Sequence, residues 1–284
     1  MKMKRIFAVA LLLMPLSGCG IISIGYNYAE AYLRYSINSY ASFNDTQKES
    51  IKKEVNIFML WHRKTMLPEY VDFLQELQRA TQSGEVLKQA DVARLRAEVR
   101  ALYVKTLQPT IHPAASLLSG VDPEQIDEMA KSFARENRKQ KDKELDGNLD
   151  EQLRKRSERT VDFLENIVGG FTDEQLLIIR GMSYKLPYAT DIYIRLREDN
   201  QAGLIEMLRS KKSEAEINIF LSSWLSAPEA GRSPDERRIM LAFETASDNM
   251  IVSVYQMLTN RQSKALQRSI SKYIAVFQEL ANQT

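Results

Sequence analysis

Apolar residues recur along most of this chain at the three- and four-residue intervals of a helix face. Ile51, Val55, Phe58 and His62 share one such stripe, and Val92, Leu95, Val99 and Leu102 form another with Tyr103 beside it. Similar stripes run through Ile126, Met129 and Phe133, through Ile217, Phe220, Leu221 and Trp224, and through Ile270, Ile274 and Phe277. No apolar–polar alternation is long enough to specify a strand, and no hairpin dipeptide separates two such runs. The pattern predicts an all-α, multi-helix bundle.

Helix starts punctuate this pattern. Phe43-Asn44-Asp45-Thr46-Gln47, Val121-Asp122-Pro123-Glu124-Gln125, Phe171-Thr172-Asp173-Glu174-Gln175 and Leu258-Thr259-Asn260-Arg261-Gln262 each place an apolar residue, then Asn, Asp or Thr, then Gln three positions later. That spacing is a capping box, in which the first polar side chain accepts from an orphan amide of the first turn and Gln reaches back to the cap's own amide. Pro123 at the first helical position strengthens the second copy. Ser233, with Pro234 and Glu236 behind it, predicts another start after the linker 226–234. The intervals between the boxes are unequal, so four independent helix starts account for them without a solenoid.

Between these starts, Ala134–Arg159 alternates charge densely around a sparse stripe of Leu145, Leu149 and Leu153. It reads as a solvated helical arm or hairpin, broken at Asp146-Gly147-Asn148. Gly181, Pro187 and Gly203 predict short, interrupted helices in the middle of the chain. Residues 42–284 are expected to form one helical domain, with candidate subdivisions at Gly169-Gly170 and at the linker 226–234.

The amino terminus has a different character. Lys2, Lys4 and Arg5 precede an apolar run from Ile6 to Leu13, and small residues lead to Cys19. The run is far short of the roughly 20 residues needed to span a bilayer. Leu16-Ser17-Gly18-Cys19 resembles the lipobox of bacterial lipoproteins. The resemblance implies removal of residues 1–18 as a signal peptide and acylation of Cys19, including palmitate. Gly20, where an inner-membrane retention signal would carry Asp, implies the outer membrane, facing the periplasm. Each buried methylene adds about 0.8 kcal/mol, so two or three acyl chains hold a protein that one chain would not.

Charge and composition then narrow the chemistry. The chain has 39 basic and 37 acidic residues, and the three basic residues of residues 1–18 leave the remainder near neutrality. No basic patch with interleaved aromatics points to nucleic acid. Cys19 is the sole cysteine, and its acylation would leave no disulfide, thiolate metal site or thiol nucleophile. His62 and His112 are not spaced as paired ligands, and no nucleophile elbow, phosphate loop or dinucleotide fingerprint occurs. No metal or cofactor is expected. The abundant carboxylates leave acid–base hydrolysis of a glycan open.

Two aromatic clusters remain. Tyr26, Tyr28, Tyr32, Tyr35 and Tyr40 follow the anchor within 19–41, where they would suit either a membrane interface or the domain core. Trp61, His62 and Arg63 crowd the end of one helix, with Pro68 expected to enforce a turn before Tyr70. They would form a polar pocket, a partner contact or a structural network. The order of lipobox, Tyr26-Asn27-x-Ala29, and Trp61-His62-Arg63-x-x-x-Leu67-Pro68-x-Tyr70 resembles a proteobacterial lipoprotein family of unknown function. Tyr26, Asn27, Trp61, His62, Arg63, Pro68 and Tyr70 are its candidate interaction surface. The four boxes are also similar to the Leu-Thr-x-x-Gln motif of small periplasmic stress chaperones, which are all-helical and bind unfolded clients.

Two functional classes follow. The first is a non-enzymatic envelope lipoprotein, chaperone-like or an accessory of envelope assembly, with an envelope protein as partner and the membrane held through Cys19. The second is a peptidoglycan hydrolase working with a carboxylate.

Overall fold

The computed structural model describes residues 19–82, 86–227 and 229–283, with the backbone alone for residues 19–21. The expected signal peptide and the Cys19 side chain therefore lie outside the described residues. Those that are described form helices joined by short turns, with no strand among them.

The chain opens with α1 (Cys19–Asn27) and α2 (Ala29–Asn38). The amide of Tyr28 reaches the Ile24 carbonyl and that of Tyr32 reaches Tyr28, so helical bonding crosses the joint. After the Asn44 cap, α3 (Asp45–Trp61) runs through a wide π turn (His62–Met66) into α4 (Leu67–Gln82). Pro68 was expected to enforce a turn, yet the chain stays helical through it. The Leu67 amide bonds the His62 carbonyl five residues back, and this widened turn eases the clash between a proline ring and the carbonyl one turn earlier.

Next come α5 (Gln89–Leu107), a short 3-10 turn at Gln108–Thr110 and α6 (Ile111–Ser119). The charged segment forms a hairpin of α7 (Pro123–Glu144) and α8 (Leu149–Val168), turning at Gly147 with φ of 84°. Its two helices lie against neighbours instead of standing free. Lys141 meets Glu198 at 2.7 Å, Tyr188 donates to Gln152 at 2.8 Å, and Arg156 donates to the Ser183 and Leu186 carbonyls, each at 2.8 Å.

The chain continues with α9 (Asp173–Lys185), α10 (Thr190–Arg209), α11 (Glu214–Ser226), α12 (Pro234–Gln256) and α13 (Asn260–Asn282). Gly181 and Gly203 were expected as interruptions, but both lie inside continuous helices; only 186–189, around Pro187, breaks the path. Gly203 is there for closeness, since a Cβ would sit 3.2 Å from the Phe220 ring of α11.

All four Gln boxes form with both reciprocal bonds. They are not independent. Gln47 and Gln125 donate to each other's side-chain oxygens at 3.1 and 2.7 Å, and Gln175 and Gln262 do so at 3.1 and 2.8 Å. The second hydrogen of each amide goes to the carbonyl two residues before the partner's cap. Gln47 bonds Gly120, Gln125 bonds Ser42, Gln175 bonds Met257 and Gln262 bonds Gly170. Each pair clasps two helix starts far apart in the chain.

The main core draws on both halves of the sequence, joining Ile51, Val55 and Met66 to Ile205, Ile217 and Phe277. A second cluster, around Val161, Ile179 and Met250, sits beneath α8, α9 and α12. Arg96 of α5 ties α12 through two bonds of 3.1 Å to the buried Asp248. Helix contacts thus cross both Gly169-Gly170 and the 226–234 linker.

Candidate functional site

His62 enters the protein interior on the π turn and is 2% exposed. Its Nδ1 lies 2.9 Å from the Tyr26 hydroxyl and its Nε2 3.5 Å from that of Tyr70. The Tyr70 hydroxyl is 2.5 Å from Thr106, whose own hydroxyl donates to the Leu102 carbonyl at 2.7 Å. Because Thr106 is committed as a donor to Leu102, Tyr70 donates to Thr106 and accepts from His62 Nε2–H. Nδ1 then accepts from Tyr26, and a neutral imidazole satisfies every member of the chain. Burial lowers the His62 pKa to about 4 and pushes the Tyr26 and Tyr70 phenols up.

Around this chain, Arg63 stands with its guanidinium carbon 5.2 Å from the centre of the Tyr26 ring and donates to Asn27 and Gln283 at 3.3 and 3.1 Å. Lys64 donates to the Ala281 and Gln283 carbonyls at the end of α13. Trp61 is half-buried beside Phe58, and Pro68 is exposed. The seven residues expected as an interaction surface are thus divided: Tyr26, Asn27, His62, Arg63 and Tyr70 come together, but Tyr26, His62 and Tyr70 are buried. They brace α1 against the π turn and the end of α13. His112 lies apart from them, 3.4 Å from Glu214.

Beyond Tyr70 the structure holds a cleft that the sequence did not reveal. About 270 Å³ lies between α4, α5, α8 and α13, walled by Tyr70, Leu74, Leu102, Ile167, Ile270 and Phe277 among others, with Phe163 half-exposed in its lining. Three polar groups in the wall have partners already. Ser269 donates to the Ile167 carbonyl, Asn166 to the Asp162 carbonyl, and Tyr70 belongs to the histidine chain. The cleft is open to solvent, so it leaves apolar side chains in contact with water, at a cost set by the apolar area that stays exposed. The lining joins α4 and α5, neighbours in the chain, to the distant α8 and α13, so no local motif marks it.

Among the described residues no group of three or more His, Cys, Asp or Glu side chains is placed to hold a metal ion, and no helix is long and apolar enough to cross a membrane. The fold and its cleft define an all-helical body whose recognisable features are the buried brace and an apolar site. The chain belongs to a family of unknown function, DUF6279, whose profile matches residues 39–237. No curated protein and no solved structure matches it.

Proposed function

We propose that this protein is a non-enzymatic lipoprotein of the bacterial outer membrane, held by acyl chains on Cys19, whose periplasmic body receives apolar side chains of an envelope protein in the α4–α5–α8–α13 cleft. The observation that carries the reading is the cleft itself. It is large, its wall is apolar, and its polar atoms named above are already bonded within the protein. Apolar anchors of a partner docking in such a site bring binding energy without needing charged contacts. The brace supports the same reading, because it fixes α1, and with it the anchored end of the chain, to the body that bears the cleft.

A photo-crosslinking amino acid at Phe163, introduced in living cells, tests it. The expected product is a discrete adduct with an envelope protein that disappears when Val99→Phe fills the cleft and is absent when the crosslinker stands at the exposed Leu241 of α12. Adducts with phospholipid alone, or a protein adduct indifferent to Val99→Phe, would reject the reading. The anchor has its own test: Cys19→Ser should abolish palmitate incorporation and release the body from the membrane fraction.

A further inference from the structure

We infer that residues 19–144 and 149–282 are two copies of one helical unit, joined by the turn at 145–148 and interlocked by exchanged helices. The order of elements is the same in both. A leading helical stretch (α1–α2; α8) precedes a Gln box, and a bent helical run follows (α3–α4; α9–α10). A second helix (α5; α11) and a third (α6; α12) then lead to another Gln box and a long closing helix (α7; α13). The bend falls at the π turn of 62–66 in one copy and at 186–189 in the other.

The clasps repeat atom for atom. In both, two amides pair reciprocally and each donates its remaining hydrogen to the carbonyl two residues before the opposite cap. Residues of the same rank are also buried in both copies: Ala29 and Ser157, Ile51 and Ile179, Val55 and Ser183, Val92 and Ile217. Four unrelated helix starts would not produce this correspondence.

The packing shows how the copies are interlocked. Each leading stretch packs on its own bent run, α2 on α3 and α8 on α9, and each third helix touches the start of that run, α6 with α3 and α12 with α9. Four further contacts are exchanged: α4 packs on α13 of the other copy, and α10 on α7; α5 packs on α12, and α11 on α6. The exchanged pairs run antiparallel in both cases. Gln78 and Gln82 reach Ser271 and Gln267, while Gln201 and Arg209 reach Asn137 and Asp127. The second helices, α5 and α11, meet each other, where a two-fold axis relating the copies would pass. This is the arrangement of a helix-swapped dimer written in one chain.

Such an arrangement requires the end of α13 to lie beside α1, as the end of α7 lies beside α8. It does: Arg63 binds both Asn27 and Gln283. The copies then differ at one place. Tyr70, Leu74 and Phe277 line the cleft at the α4–α13 interface, whereas the α10–α7 interface carries Arg197, Gln201, Asn137 and Gln140. Arg197 bonds Gln140, and Gln201 accepts from Asn137 at 2.7 Å. One of two equivalent interfaces is apolar and cleft-bearing, and the other is sealed by polar contacts. The cleft is therefore a specialisation and not a requirement of the unit.

The test is a circular permutant of the chain from residue 19 onward, carrying Cys19→Ser, opened at Gly147 and closed from Thr284 to residue 19 through a short Gly-Ser turn. With both joints equivalent, the permutant should keep the helical circular dichroism of its parent and melt within a few degrees of it. In parallel, the unpermuted chain receives a specific protease site in 145–148. Once cut, its two fragments should elute together at the parent's size and part only in denaturant. A cut chain that separates into two folded particles, or an unfolded permutant beside a cut chain that holds together, overturns the inference.

Discussion

A single choice of side chain, Gln or Glu at the third helical position, separates the helix starts that are clasped from those that are not. Either residue closes a capping box, and the boxes of Ser213 and Ser233, which have no such amide partner, use Glu216 and Glu236. The clasped boxes need two donors per side chain beyond the cap, and only an amide supplies them. The sequence showed the boxes; the pairing was hidden because partners lie 78 and 87 residues apart. Gln175→Glu removes both donors from a buried site and should cost about 3 kcal/mol in urea unfolding, whereas Glu216→Gln on the surface should leave the unfolding midpoint close to the parent's. A second residue-scale consequence belongs to His62. Its pKa is lowered from 6.5 to about 4 in the folded protein, so between these values the unfolded chain binds the extra proton. The stability from keeping it neutral is full above about pH 6.5 and falls as the pH drops, by about 2 kcal/mol at pH 5. A parent that loses no more stability than His62→Gln between pH 7 and pH 5 would contradict this.

At the scale of elements, the first two helices resolve a choice that the tyrosines left open. Tyr26 points into the core and Tyr40 packs edge-on against Phe133, with ring centres 5.5 Å apart. Ile24, Tyr28 and Tyr35, at 57, 70 and 54% exposed, fall outward along one side of the continuous α1–α2 run. Period alone could not assign each ring, because a helix of this length carries aromatic residues on two sides and only tertiary packing decides which side is covered. The outward row begins five residues after Cys19, the proposed site of acylation, at a position suited to interfacial side chains. For the unacylated Cys19→Ser protein, replacing Tyr28 and Tyr35 with Ser should lower sedimentation with phospholipid vesicles several-fold while leaving the melting temperature unchanged. Equal binding by the two proteins would show that Tyr28 and Tyr35 make no contact with the membrane. The helix path through Pro68 was missed for a related reason: a proline reads as a stop unless the turn before it is widened, and five-residue backbone bonding leaves no mark in a local pattern.

Over the whole molecule, helical class, caps and most boundaries were legible because each depends on residues within a turn or two of one another. The cleft and the clasps depend on which helices meet, and the exchanged packing of α4 with α13 and α5 with α12 joins segments that no local pattern relates. The same topology explains why a cleft is tolerated at all. Apolar contacts of the shared core tie both copies together around it, so the cost of an open apolar wall is carried by the entire body and not by one small layer. That cost can be recovered artificially. Val99→Phe places a ring in the space between α5 and α13 and, where it fits without displacing Leu102 or Tyr273, should raise stability by about 0.5 to 1.5 kcal/mol in thermal or urea unfolding. If the cleft is kept open for a partner, the same substitution should abolish the Phe163 crosslink while making the protein harder to unfold. Stability gained together with binding lost separates a functional cleft from a packing defect; a gain in stability with the adduct intact would mark it as a defect alone.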